Sequence, residues 1–273
     1  MRRVSLLVLL LLLPIIKTFG SVEINGIMYN LDENHKTAEV TEGISYSGSI
    51  TIPSQITYND VDYSVTKIGD NAFDDCGELT SIAIPNSVTS IGIGAFEYCT
   101  GLTSITIPYS VTIIDDDAFY GCNRLTSIVI SEGVTTIGDE AFSECSSLTS
   151  ITIPKSVTSI ADKAFFGCDI VRDIYCHADP YKLTWNGGDN DFKKSKQTRC
   201  HVSDYDLEKY QSKFVNVNVT FFGDLDRLIA AKLETAGNES SINDVIYDLN
   251  GIRVEGQLPI GIYIKNGKKY IVK

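Results

Sequence analysis

The sequence is poor in what catalysis and nucleic-acid binding need. It has three histidines (His35, His177 and His201), one tryptophan and two methionines in 273 residues. No G-x-S-x-G, H-E-x-x-H or phosphate-loop pattern occurs, so the common hydrolase, zinc-protease and nucleotide signatures are missing, and no enzyme, catalytic residue, metal or cofactor is expected. Positive charge is scarce: 23 lysines and arginines face 35 carboxylates, giving a formal net charge of −12 and a pI near 4.7. Without a basic stripe the chain cannot displace many phosphate counterions, so nucleic acid is not an expected partner. The densest acidic run, Asp115-Asp116-Asp117, lacks the alternating spacing of a calcium loop and reads as a solvated turn. Asp139-Glu140 reads the same way. Beyond the N-terminal leader no stretch approaches the ~18 apolar residues that a spanning helix requires.

The leader covers residues 1–20. Arg2 and Arg3 form its basic start, Val4 to Ile16 its apolar middle, and Thr18-Phe19-Gly20 puts a small residue at the cut, expected between Gly20 and Ser21. No cysteine sits at that point, so a lipid anchor there is not expected. The mature chain is expected to be exported and not inserted in a membrane.

What the chain has in abundance is repetition. Cys76, Cys99, Cys122, Cys145 and Cys168 recur every 23 residues, and aligning on them superimposes the rest. Leu79, Leu102, Leu125 and Leu148 open the units, with Val171 in a degenerate last one. Paired isoleucines follow (Ile105/Ile107, Ile128/Ile130, Ile151/Ile153), then Val-x-x-Ile, then Ala-Phe at Ala95-Phe96, Ala118-Phe119, Ala141-Phe142 and Ala164-Phe165. Pro85, Pro108 and Pro154 end the first strand in three units, since proline cannot donate to a ladder; Ser131 replaces proline in the remaining one, opened by Leu125. The pattern predicts strand, turn, short second strand, turn and one helical turn per unit. One such unit buries too little to fold alone, so the units must stack.

The ladder cysteines read as packing. Metal binding needs close Cys pairs or nearby histidines, and equivalent in-register side chains point in parallel, which is poor disulfide geometry. Each is expected to be a small buried hydrophobe at an inward corner.

Cys99-x-x-Leu102-x-x-Ile105-x-Ile107-Pro108-x-x-Val111-x-x-Ile114-x-x-x-Ala118-Phe119 resembles the BspA-like, Treponema-type leucine-rich repeat of bacterial surface proteins, notably those of Bacteroidetes. The resemblance implies a repeat solenoid of 23-residue coils, with a parallel β-sheet on one side, short helical turns on the other, a β-hairpin N-cap and an α+β C-cap. It also implies adhesion or protein binding without catalysis.

The expected organisation is a leader (1–20), an N-terminal cap with a first partial repeat (21–66), repeats (67–170), a C-terminal cap (171–223), a linker (224–243) and a C-terminal β module (244–273). Asn25-Gly26 and Asn59-Asp60 mark hairpin turns in the N-cap. In the C-cap, strands are expected at Ile174–Cys176, Cys200–Val202 and Asn218–Phe222, and a helix at Leu207–Phe214. Cys176-His177 and Cys200-His201 leave two arrangements open, a Cys176–Cys200 disulfide or a zinc site. Neighbours on a strand point to opposite faces and export favours oxidation, so the disulfide is preferred, with free thiols next and zinc last. In the tail, "YDLNGIRV" and "GIYIKNGKK" are similar to the type A sorting domain of Bacteroidetes type IX secretion. That resemblance implies export across the outer membrane and attachment to its surface, with the periplasm as the alternative location.

The candidate binding surface is the outward side of the strand sheet, at Ser81, Ser104, Thr106, Ser127, Val129, Ser150 and Thr152, with the second-strand threonines beside it. It is small, rich in hydroxyls and nearly uncharged. Expected partners are extracellular or host proteins, with a glycan or a purely structural envelope role as alternatives, and the chain is expected to be a monomer.

Overall fold

The computed structural model describes residues 20–43, 45–186, 191–192, 198–214, 219–223, 246–248, 253–254, 261–265 and 268–272. The leader to Phe19 and the linker lie outside these residues.

The N-cap is two hairpins. Strand β1 (Val22–Ile24) pairs antiparallel with β2 (Ile27–Asp32) around Asn25 (φ 53) and Gly26 (φ 79), and β3 (Thr37–Val40) follows β2 antiparallel. After β4 (Gly48–Thr51), the strands β5 (Gln55–Tyr58) and β6 (Val61–Ile68) form the second hairpin around Asn59 and Asp60, both at positive φ. Both turns have the left-handed residues that match the twist of a two-residue hairpin.

Each later coil contributes a longer strand and a two-residue strand. The pairs are β7 (Leu79–Ala83) with β8 (Ser90–Ile91), β9 (Ser104–Ile107) with β10 (Ile113–Ile114), β11 (Ser127–Ile130) with β12 (Thr136–Ile137), and β13 (Ser150–Ile153) with β14 (Ser159–Ile160). The short strands pair in parallel, residue 23 on residue 23: Ser90 faces Ile113, which faces Thr136, which faces Ser159. The longer strands stack on a second side, where β4 pairs with β7, β9 with β11, and β13 with β15 (Asp173–Cys176).

The third side, around each Ala-Phe, expresses the expected helical turn as a run of tight turns. Ala72, Asp74 and Cys76 donate their N–H groups three residues back, to Gly69, Asn71 and Phe73. The residues between them, Asn71, Phe73 and Asp75, donate instead to Ile93, Ala95 and Glu97 of the next coil. The alternation recurs with Gly94, Phe96 and Tyr98, and with Asp117, Phe119 and Gly121. It requires two left-handed residues per coil, at Asn71, Gly94, Asp117, Glu140 and Lys163, and at Asp75, Tyr98, Gly121, Glu144 and Gly167. Most are not glycine, each a strain of roughly 1–3 kcal/mol that the surrounding bonds must hold. At Gly121 glycine is needed twice over: φ is +69, and a Cβ would lie 2.6 Å from the Tyr98 ring.

Inside, seven rings form one column. Tyr46, Phe73, Phe96, Phe119, Phe142, Phe165 and Phe192 follow each other at 4.7, 5.0, 5.0, 5.2, 5.6 and 5.6 Å. All the phenylalanines in it are fully buried. The isoleucine, valine and leucine columns lie beside it in one continuous core.

The parallel ladders run on into the C-cap. The short-strand sheet ends at β16 (Thr184–Trp185), and the longer-strand sheet extends from β15 to β17 (Arg199–His201) and β18 (Thr220–Phe222). Helix α1 (Leu207–Lys213) closes the core with Tyr210, whose hydroxyl donates to the Ala178 carbonyl at 2.6 Å. In the tail, β19 (Ile246–Asp248), β20 (Arg253–Val254), β21 (Gly261–Lys265) and β22 (Lys268–Val272) form an antiparallel sheet in the order β20-β19-β21-β22.

The column ends beside a buried carboxylate. Asp191 accepts hydrogen bonds from the Phe165 amide (3.1 Å) and the Trp185 indole (3.1 Å). Burial nonetheless raises its pKa to about 6, against the two hydrogen bonds. The folded state therefore binds a proton between the unfolded value near 3.8 and about 6, and Asp191 makes the cap less stable as pH rises through that window. Trp185, the only tryptophan, should change its fluorescence with a midpoint near pH 6, and Asp191→Asn should abolish the transition. A signal flat from pH 4 to 8 would contradict the assignment.

Candidate functional site

The outward side chains of the longer-strand sheet form two rows. One runs Ser49, Ser81, Ser104, Ser127, Ser150, Asp173, Arg199, Thr220; the other runs Thr51, Ala83, Thr106, Val129, Thr152, Tyr175, His201, Phe222. The bonded ladder lapses between β7 and β9 and between β11 and β13, where equivalent residues still lie side by side. Ser81, Ser104, Thr106, Ser127 and Ser150 are exposed, while Val129 and Thr152 are half-buried. Ser81 donates to the Ser49 hydroxyl at 2.7 Å.

The second-strand threonines serve a different purpose. Thr89, Thr112, Thr135 and Thr158 donate their hydroxyls to the carbonyls of Thr66, Thr89, Thr112 and Thr135, one coil back, at 3.0–3.3 Å. These hydroxyls brace the ladder. The acidic turns also brace it. Asp116 Oδ1 accepts the Asp139 amide (2.7 Å), Asp139 Oδ1 accepts the Asp162 amide (2.8 Å), and Glu140 pairs with Lys163 at 2.8 Å. Reading these carboxylates as merely solvated missed that role. Tyr98, 45% exposed, covers Gly121 and meets Tyr120 edge-on, whereas Tyr109 projects freely at 57%.

The chemistry of the face changes at its C-terminal end. Asp173 Oδ1 accepts from Arg199 Nη2 (2.7 Å) and lies 2.9 Å from His201 Nε2. Tyr175 stacks on His201 at 5.2 Å, and Phe222 lies beyond it at 6.0 Å. Phe222 is 38% exposed and Arg199 is exposed. Two planar charged groups beside a row of rings are the residue types that dominate binding energy at interfaces. The 23-residue spacing could not reveal this cluster, because β17 and β18 fall out of the period. Alignment of the inward residues Ile174, Cys200 and Phe221 would have exposed it.

The ladder cysteines are buried. Cys99, Cys122, Cys145 and Cys168 each donate Sγ to the phenylalanine carbonyl of the preceding coil, at Phe73, Phe96, Phe119 and Phe142, over 3.1–3.3 Å. Burial raises all four thiols, Cys122 to about 12. Cys176 and Cys200 are buried free thiols on neighbouring strands. Cys176 lies 3.2 Å from the Tyr210 hydroxyl, while His201 turns to the other face, so the two Cys-His pairs do not converge. Among the described residues no group of three or more His, Cys, Asp or Glu could hold a metal ion, and no helix is long and apolar enough to cross a membrane.

Comparison with known proteins places this geometry. The BspA type leucine rich repeat region matches residues 66–184 in six copies. The crystal structure of a T. pallidum leucine rich repeat protein is 29% identical over 57% of this chain and 71% of that one, with a TM-score of 0.52. A leucine rich cell surface protein from Faecalibacterium prausnitzii is 26% identical (59% of this chain, 55% of that one, TM-score 0.39). A leucine-rich repeat protein from Bacteroides ovatus is 22% identical (73% and 67%, TM-score 0.39). No curated protein matches the chain.

In the folded protein, a thiol reagent such as DTNB should leave Cys99, Cys122, Cys145 and Cys168 unmodified until denaturant is added. Cys122→Ala should lower the unfolding free energy by about 1–2 kcal/mol in urea titration, through a small cavity and a lost weak bond. Rapid native labelling of these four would mean that the coils open locally.

Proposed function

We propose that the chain is an exported BspA-type leucine-rich-repeat protein that binds another protein without catalysis, as an adhesin or interaction scaffold at the cell surface. The family assignment is supported by the match over residues 66–184 and by the T. pallidum structure. The leader and the resemblance of the tail to a sorting domain support export and surface attachment. The binding reading rests on one observation: the two outward rows end in Asp173, Arg199, Tyr175, His201 and Phe222, beside a flat hydroxyl strip long enough for an extended partner. Ser81, Ser104, Thr106, Ser127, Val129, Ser150 and Thr152 make up the strip, and the rings and guanidinium act as its anchors.

The ring row beside a carboxylate and a guanidinium also suits a sugar, which favours a glycan as the second reading. Screening the purified protein against host matrix proteins and against a glycan array separates the two. For a protein ligand, Tyr175→Ala and Arg199→Ala should each weaken binding by about tenfold or more, while Ser104→Ala and Ser127→Ala stay within about twofold. Equal effects from all four would remove the anchor assignment.

An intact mass of the protein recovered from its native cells tests the sorting. Loss of residues 1–20 and of the 244–273 module, with added glycolipid mass, is the expected result. A mass that retains Lys273 would leave the binding face standing and remove surface attachment through the tail.

A further inference from the structure

The two sheets of the solenoid do not begin at the same level. On the short-strand side, the N-cap adds β3, β2 and β1 beyond β6. On the longer-strand side the sheet stops at β4, and among the described residues no strand occupies the position beyond it. A shallow groove occupies that position, between β4 on one wall and the Asn25–Ile27 turn with Ser45–Ser47 on the other.

The β4 wall is an open edge. Gly48 and Ile52 donate their amides to Glu78 and Ala83, toward β7. In a parallel strand the N–H and C=O of a residue point the same way and alternate along the chain. The N–H and C=O of Ser49 and Thr51 therefore face the groove, and among the described residues β7 is the only strand that pairs with β4. Ser49 and Thr51 are exposed. The far wall is held in place by Tyr46, whose hydroxyl accepts the Met28 amide (2.9 Å) and donates to the Thr41 carbonyl (3.0 Å) while its ring caps the phenylalanine column. Tyr46 thus ties the far wall to the first hairpin, and pairing with β7 holds the β4 wall.

The N-cap around it is acidic. Between residues 21 and 66, Lys36 is the only Lys or Arg, against carboxylates at 23, 32, 33, 39, 42, 60 and 62. Glu23 lies two residues before the Asn25 turn and Glu42 three before Ser45, and both are exposed. Lys36 sits over the Tyr63 ring, and the nearby Lys67 is paired with Glu39.

We propose that this slot accepts an extended, basic peptide segment of a partner protein as an added β-strand on β4, held by main-chain bonds to Ser49 and Thr51 and by the charge of Glu23 and Glu42. The slot lies where the outward rows begin, but it uses the main chain of Ser49 and Thr51 and sits at the opposite end from Asp173, Arg199 and Tyr175, so either reading can fail without the other.

The probe is the peptide Ac-Lys-Thr-Val-Thr-Val-Lys-NH2, read by residue-resolved amide hydrogen exchange on the full chain. At millimolar concentration it should slow exchange at Ser49 and Thr51 by about tenfold, an effect weakened by salt. The same peptide with Glu for Lys, or with N-methylated valines, should leave both amides unchanged. Thr51→Pro removes only an outward N–H and is compatible with an edge strand, so it should keep the circular dichroism and melting of the parent while abolishing protection. The Glu23→Lys/Glu42→Lys double variant should reverse the preference between the two peptides, which tests the charge even if Thr51→Pro does not fold. Tyr175→Ala should have no effect on any of these readouts. Equal protection by both peptides, no protection at saturating peptide, or protection surviving Thr51→Pro would each overturn the proposal. So would concentration-dependent self-association that Thr51→Pro removes, since the occupant would then be a second copy of the chain.

Discussion

The solenoid depends on a backbone that gives alternate amides to the next coil. On the Ala-Phe side, Phe73, Phe96, Phe119 and Phe142 each donate upward at 2.8 Å, while the residues next to them close local turns. That arrangement fixes the rise between coils at one strand spacing and so places the rings about 5 Å apart. It also explains the cysteines. The phenylalanine carbonyl already accepts the cysteine amide of its own coil, and the thiol one coil on supplies a second, weaker donor. An alanine there would lose the second donor and leave part of the corner unfilled.

Much of this is legible in the sequence. Asn25-Gly26 and Asn59-Asp60 declare both hairpins, because left-handed pairs are short of alternatives. The helix at Leu207 and the strands at Ile174, Cys200 and Phe222 show through their apolar spacing. What is not legible is the pair of left-handed residues in each coil. Asn71, Gly94, Gly121 and Gly167 hint at them, but Tyr98, Glu140, Glu144 and Lys163 occupy the same conformation without a sequence signature, because inter-coil bonds and not local preference hold them there. The roles of the threonines and aspartates were hidden for a related reason. A hydroxyl that braces the ladder and one that faces a ligand look identical in a list of residues; only the register separates Thr112, bonded to Thr89, from Thr106, which points outward.

The same regularity decides where recognition can reside. A coil that repeats its outward serine every 23 residues offers a ligand several equivalent registers, shifted by one coil each. Hydroxyls at Ser104, Ser127 and Ser150 can contribute contact but cannot choose among those registers. Choice requires features that occur once. Asp173, Arg199, Tyr175, His201 and Phe222 occur once, at the end where the period breaks, and so does the open edge at Ser49 and Thr51 where the sheet begins. Under the proposed binding roles the repeats would act as a ruler between two unlike ends. Their number sets the distance from the open β4 edge to the aromatic row, and a partner long enough to touch both would be aligned by the ends rather than by the coils it spans.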